Sequence, residues 1–152
     1  MKKGMFVFLL SLTTLLFSNI AFSQIRKIPS QATESLKQKY PAADKVEWKD
    51  AISHFTAKFQ LDSKDYEAHF DNDGNWKESL VKIDESEIPE SVKDGIAKSK
   101  YSDWTLGKIE KIESTEDRVQ YRVQVKKGDI KKKILYYNRE GKLTKDNITL
   151  WF

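Results

Sequence analysis

The sequence predicts an α+β fold: a tandem repeat of one helix plus a four-stranded antiparallel meander, with the helices packed on one face of a curved sheet. Three observations carry this. First, the chain states one pattern twice. Ile28-Pro29, Leu36, Tyr40, Trp48 and Asp73-Gly74 are answered in order by Ile88-Pro89, Ile96, Tyr101, Trp104 and Glu140-Gly141. Such a duplication fixes architecture far better than it fixes chemistry. Second, after each Pro-led helical stretch the apolar residues alternate with polar ones, which marks strands buried on one face only. Third, the connections are short, polar and supplied with Gly or Asn, as hairpin turns require.

The elements follow in chain order. Residues 1–23 are expected to be a signal peptide. Lys2 and Lys3 precede an apolar run from Met5 to Phe17, and Ala21-Phe22-Ser23 places small residues at the two positions that a signal peptidase reads. The run is too short for a spanning helix. Cleavage after Ser23 would leave Gln24 at the new N-terminus and lower the formal charge from +4 to +2, since Lys2 and Lys3 depart. The first repeat is then assigned to 24–84 and the second to 85–152.

In the first repeat, Pro29 is suited to a helix start because its missing N–H is an orphan there in any case. Ala32, Leu36 and Tyr40 share a face, and Pro41 ends the helix. Strands follow at Val46 and Trp48, at Phe55, Ala57, Phe59 and Leu61, at Tyr66, Ala68 and Phe70, and at Trp76 with a less regular Leu80, Val81 and Ile83. In the second, Pro89 opens a helix with Val92 and Ile96, weakened by Gly95, which costs about 1 kcal/mol relative to Ala. Its strands carry Trp104 and Leu106 running to Ile109 and Ile112, then Val119, Tyr121, Val123 and Val125, then Ile130, Ile134 and Tyr136, then Leu143. Halves this small are marginal alone, so a shared core boundary or one long sheet is expected.

Several chemistries are disfavoured. The chain has no cysteine, hence no disulfide, thiolate metal site or cysteine nucleophile. Charged residues make up 33% of the chain and carry both signs, without the concentrated basic stripe that nucleic acid would call for. The one dense basic stretch, Lys126 to Lys133, reads as a lysine-rich hairpin that discourages edge association. Asp71-Asn72-Asp73-Gly74-Asn75 begins like a calcium loop, but Gly falls at its fourth position and Lys82 at its twelfth, so a turn is the better reading. His54 and His69 stand on polar faces of two strands that could be hairpin neighbours. A metal there would want a third ligand such as Glu67 or Asp71. No metal and no cofactor are assigned. Carboxylates are scattered among lysines as solvated pairs, and neither a nucleophile elbow nor a phosphate loop is present.

Trp48 and Trp104 open equivalent strands and are read as core. The polar faces left uncovered are the candidate partner-binding surface: His54, Thr56, Lys58 and His69 in the first copy, Gln120, Arg122 and Gln124 in the second, with Tyr137 and Trp151 as aromatic additions. Rigid aromatics beside Arg are what protein-binding surfaces use.

Pro29 to Tyr40, Val46-Glu47-Trp48, Phe55 to Phe59, Tyr66 to Asp71 with Asp73-Gly74-Asn75-Trp76, and the second Ile88-Pro89 together resemble the PepSY-like exported proteins of Bacteroidetes. That family is similar in fold to the beta-lactamase-inhibitor protein, in which tandem repeats form one concave sheet that grips an enzyme. The resemblance implies a periplasmic or secreted, non-enzymatic binding or inhibitory module, and it brings no catalytic residues. The expected partner is an envelope or secreted protein, a peptidase or other enzyme among the possibilities, with no nucleic acid and no stable membrane insertion after signal cleavage. A periplasmic small-ligand or metal-binding sensor or carrier is the alternative.

Overall fold

The computed structural model describes residues 26–148. The expected signal segment 1–23, the new terminus at Gln24 and Trp151 lie outside the described residues. The order of elements is α1 (Ser30–Lys39), β1 (Asp44–Asp50), β2 (Phe55–Leu61), β3 (Lys64–Phe70) and β4 (Trp76–Lys82). After a 3₁₀ turn at Glu85–Glu87 come α2 (Glu90–Ala97), β5 (Thr105–Ser114), β6 (Arg118–Lys127), β7 (Lys131–Asn138) and β8 (Leu143–Ile148). All eight strands belong to one antiparallel sheet in the order β1 to β8, with β4 hydrogen-bonded to β5.

Both helices lie on the same face of this sheet. Ala32 and Leu36 of α1 pack with Phe55, Ala57, Phe59, Ala68 and Phe70. Val92 and Ile96 of α2 pack with Val81, Ile109, Tyr121, Val123, Leu135 and Tyr137. Cross-strand partners share a face, and the ladder Tyr66↔Val81↔Lys111↔Tyr121↔Tyr137 links the two groups. Tyr66 packs against both cores. The 3₁₀ turn between the halves is pinned as well. Glu87 accepts a hydrogen bond from the Asp84 backbone N–H at 2.9 Å and pairs with Lys64, while Ile83 and Ile88 are buried on either side.

The turn glycines dock the helices. Gly74 has φ +89°, and a Cβ there would stand 2.5 Å from the Ala32 nitrogen; Gly141 has φ +79°, and its Cβ would stand 1.9 Å from the Ser91 carbonyl oxygen. Each turn therefore lies directly on the first turn of its helix. Ser35 Oγ donates to the Gly74 carbonyl at 3.3 Å, and Ser91 Oγ donates to the Arg139 carbonyl at 2.7 Å. The two turns are also closed alike: Asp71 Oδ1 accepts from the Asn75 N–H at 2.9 Å, and Asn138 Oδ1 accepts from the Lys142 N–H at 2.8 Å. This disposes of the calcium-loop resemblance, because the Asp71 carboxylate is spent on its own turn and on Lys77 at 3.0 Å. Gly95 has the same explanation. Its absent side chain makes room for the Gly141 carbonyl oxygen, which a Cβ would approach to 2.0 Å.

One strand departs from the expected phase. Alternation counted from Ile130 puts Ile134 and Tyr136 toward the helices and leaves Tyr137 outside. In the structure Ile130 sits in the β6–β7 turn, 90% exposed, and the ladder pairs Leu135 with Val123 and Tyr137 with Tyr121. Tyr137 is therefore 0% exposed and belongs to the core. A shift of one residue flips a whole strand, so Ile134 and Tyr136 take the face that Tyr137 was expected to occupy. Trp48 and Trp104 are half-buried against their cores, Trp48 with Phe70 at 5.2 Å between ring centroids and Trp104 edge-on to Tyr101 at 5.2 Å.

Candidate functional site on the helix-free face

The ladder also fixes what the uncovered face carries. One row across it reads Glu47, Lys58, Glu67, Leu80, Ile112, Gln120, Asn138. The next row toward the β1–β2 loop reads Lys49, Thr56, His69, Glu78, Ser114, Arg118. On the other side, Lys82, Glu110, Arg122, Tyr136 and Lys145 follow one another. Six of the eight expected site residues, Thr56, Lys58, His69, Gln120, Arg122 and Gln124, thus lie on this face. His54, just ahead of β2, joins them through its ring, 5.3 Å from that of His69. Tyr137 does not. The residues form two groups, because β4 and β5 separate β3 from β6 by three strand spacings, about 15 Å.

What fills the gap was not anticipated. Leu80 and Ile112 are cross-strand partners, each only 6% exposed, although no helix covers them. They belong to neither helix-side core. Thr56 and Glu110 on the same face are buried too. Ile134 and Tyr136, half-buried on β7, lie on the same face beyond Gln120, Arg122 and Gln124 of β6. Beside Leu80, a depression of about 450 Å³ opens between Lys58, Glu67, Lys82 and Glu110.

The charges around this patch are held in place. His69 is clamped on both ring nitrogens, Nδ1 against Glu78 Oε1 at 3.0 Å and Nε2 against Glu67 Oε1 at 2.9 Å. The hydrogen bond with Glu78, reinforced by Glu67, raises the His69 pKa above its ordinary value against the opposing effect of burial. Contact with His69 in turn lowers Glu78. Burial alone would raise Glu67, but His69 and Lys58, the latter at 3.4 Å, outweigh it and lower its pKa. A doubly clamped imidazole has no lone pair to offer a metal. Among the described residues no group of three or more His, Cys, Asp or Glu is placed to hold one.

On the β6 side, Arg122 sets Nε and Nη2 on Glu110 Oε2 at 2.6 and 2.5 Å, and Lys108 takes Oε1 at 2.7 Å. Burial lowers the Arg122 pKa and Glu110 more than restores it. Both oxygens of this buried carboxylate are thereby satisfied.

At the same end of the sheet but on its helix-bearing side, where Asp50 pairs with Phe55, a further ion pair is fixed. Arg26 grips Asp50 through Nη2 at 2.6 Å and reaches Asn72 at 2.9 Å, holding the Asp50 pKa at about 2. Asp50 Oδ1 also accepts the Ile52 N–H at 3.0 Å. Ile52 is thus kept at φ +59° and 89% exposed.

Sequence reasoning missed Leu80, Ile112, Glu78 and Glu110, and named Glu67 beside His69 only as a third metal ligand. The signal for the two aliphatics was present, since Leu80-Val81 and Ile109/Ile112 break the alternation. A break of that kind puts apolar side chains on both faces.

The sequence profile of the family described as "Putative beta-lactamase-inhibitor-like, PepSY-like" matches residues 53–145. Solved structures share the fold. The chain is similar to a BLIP-like protein from Bacteroides fragilis, with 23% identity, a TM-score of 0.77, and coverage of 85% of this chain and 92% of the other. A DUF2874 family protein from Bacteroides uniformis follows at 22% identity and a TM-score of 0.74, over 79% and 88% of the two chains. A protein of Bacteroides eggerthii described as "putative periplasmic" gives 21% identity and a TM-score of 0.74, over 81% and 90%. No curated protein matches the sequence. With the profile running from the β1–β2 loop into β8, and the fold shared along most of the chain, this protein belongs to the PepSY-like, beta-lactamase-inhibitor-like family.

Proposed function

We propose that the protein is an exported, non-enzymatic module that binds, and in binding inhibits, another envelope or secreted protein through its helix-free sheet face. The observation that carries this reading is the pair Leu80 and Ile112, buried on a face that no helix covers and framed by clamped ion pairs. Side chains fixed before contact lose little conformational freedom when a partner docks, which is how a preorganised surface favours binding. The ionisable groups here are neutralised in pairs, an arrangement that favours recognition over proton transfer. The family's inhibitor-like character and the "putative periplasmic" relative support the compartment and the mode of action.

We further read the chain as two copies of one unit, 24–84 and 85–152, behind a cleavable signal at 1–23. The matched turn glycines and helix contacts support this. N-terminal sequencing of protein recovered from the periplasm or medium should begin at Gln24.

The test of the binding reading compares capture of envelope proteins by the mature chain and by the variants Lys58→Glu and Ile134→Asp. Both positions are at the surface of the face, whereas changing Arg122 would strand the buried Glu110. A partner retained by the wild type should be lost by both variants and kept by Lys37→Glu on the exposed side of α1. Equal capture by all of them would rule the face out.

A further inference from the structure

The β6–β7 hairpin is locally at odds with itself. Lys126 faces Lys132 and Lys127 faces Lys131 directly across the strands, and like charges so placed destabilise a hairpin. Lys127 is relieved by Asp103 at 2.5 Å, and Lys133 approaches Asp146 to 3.9 Å. Lys126, Lys131 and Lys132 have no ion-pair partner among the described residues. At the apex Ile130 is 90% exposed, and nothing lies within 4 Å of where a Gly128 side chain would project. The hairpin therefore ends in open solvent with Ile130 beside the single carboxylate of Asp129 at its tip, and with a basic collar of five lysines, Lys126, Lys127 and Lys131 to Lys133, that outweighs it.

We propose that this hairpin docks end-on to an anionic lipid surface, Ile130 entering the headgroup layer and the collar of lysines meeting the lipid phosphates. The distribution of charge favours a bilayer over an acidic protein. Lys126 and Lys132 belong to the helix-free face, and Lys127, Lys131 and Lys133 to the helix side. A partner lying flat on the sheet meets one set, whereas a surface entered by the tip meets both. The collar lies within about 10 Å of the apex at the rise of a strand. That matches the roughly 5–10 Å to which apolar residues of peripheral proteins sink at the boundary of headgroups and acyl chains. The contact is peripheral and reversible, and it leaves the centre of the helix-free face, around Lys58 and Glu67, open for the binding role.

The mature chain is sedimented with phosphatidylglycerol vesicles and with phosphatidylcholine vesicles. It should pellet with the first at low ionic strength, remain in solution with the second, and be released by salt but not by equimolar inorganic phosphate. Ile130→Asp and the pair Lys126→Glu/Lys132→Glu should each weaken binding by about tenfold or more, since each basic residue near such a surface is worth about 1 kcal/mol. The pair Lys37→Glu/Lys98→Glu, with the same change in net charge on the two helices, should not. Because the chain has no cysteine, Ile130→Cys gives a single attachment point for an environment-sensitive fluorophore. Its emission should shift to the blue on phosphatidylglycerol vesicles, while the same label at Ile52→Cys should not respond. No sedimentation with phosphatidylglycerol, or equal loss in the helix pair, overturns the proposal. Binding to polyglutamate in place of vesicles assigns the hairpin to an acidic protein and overturns the lipid assignment.

Discussion

Ile52 is a β-branched residue at φ +59° with its side chain in water. The left-handed region costs a residue with a Cβ roughly 1–2 kcal/mol, and more crowding comes with the branch. Glycine carries no such strain, so Ile52→Gly should stabilise the fold by about 0.5–1 kcal/mol after glycine's entropic cost, read as a higher urea midpoint. His69 supports a pH prediction. Its folded pKa lies above the unfolded value near 6.5, so its stabilising effect is complete below that value and is lost as pH rises through the folded one. Glu67 and Glu78 are lowered. Their share is present above the ordinary carboxylate value and is lost as pH falls through the folded ones. The stability of the wild type relative to His69→Gln should therefore peak in mildly acidic solution and decline on both sides. Urea titrations across that range check it, and a difference that still grows above neutrality would contradict it.

At the scale of elements, the contact between α2 and the β7–β8 turn reverses a helix-propensity expectation. Alanine is about 1 kcal/mol better than glycine inside a helix, yet Gly95→Ala sets a methyl group 2.0 Å from the Gly141 carbonyl oxygen. The variant should lose about 1–3 kcal/mol, as overpacking does, and thermal unfolding will show it. α1 was fully legible in the sequence because Pro29 and Pro41 bracket it and Ala32 and Leu36 mark its face. The β2 and β3 faces were legible because strict alternation leaves one answer. Tyr137 was not, because a turn residue, Ile130, was counted into the strand. Leu80 and Ile112 were overlooked, because register irregularities at the His69–Phe70 step and between Leu106 and Ile109 change the parity of β4 and of β5. Glu78 and Glu110 depend on cross-strand register, which no local pattern reveals, whereas Glu67 meets His69 two residues along the same strand.

For the whole molecule, the two cores are joined by the β4–β5 ladder and by Tyr66, which touches both. Unfolding should therefore be one cooperative transition, with fluorescence and circular dichroism superimposing in urea. Tyr66→Ala should cost about 1–3 kcal/mol, below the range of fully buried aromatic truncations because the ring is only partly buried, and should pull the two signals apart if the ring is what couples the halves. The strand order of the sheet is also the order of the chain. Every strand pairs with the one just made, so the entropic cost of closing long loops is small and contact order is low for a β-rich protein. A chain delivered N-terminus first can add each new strand to a single growing edge. It need not wait for a distant segment before its backbone is satisfied, and besides the standing edge of β1 only the last-formed strand is open to a wrong partner at any moment.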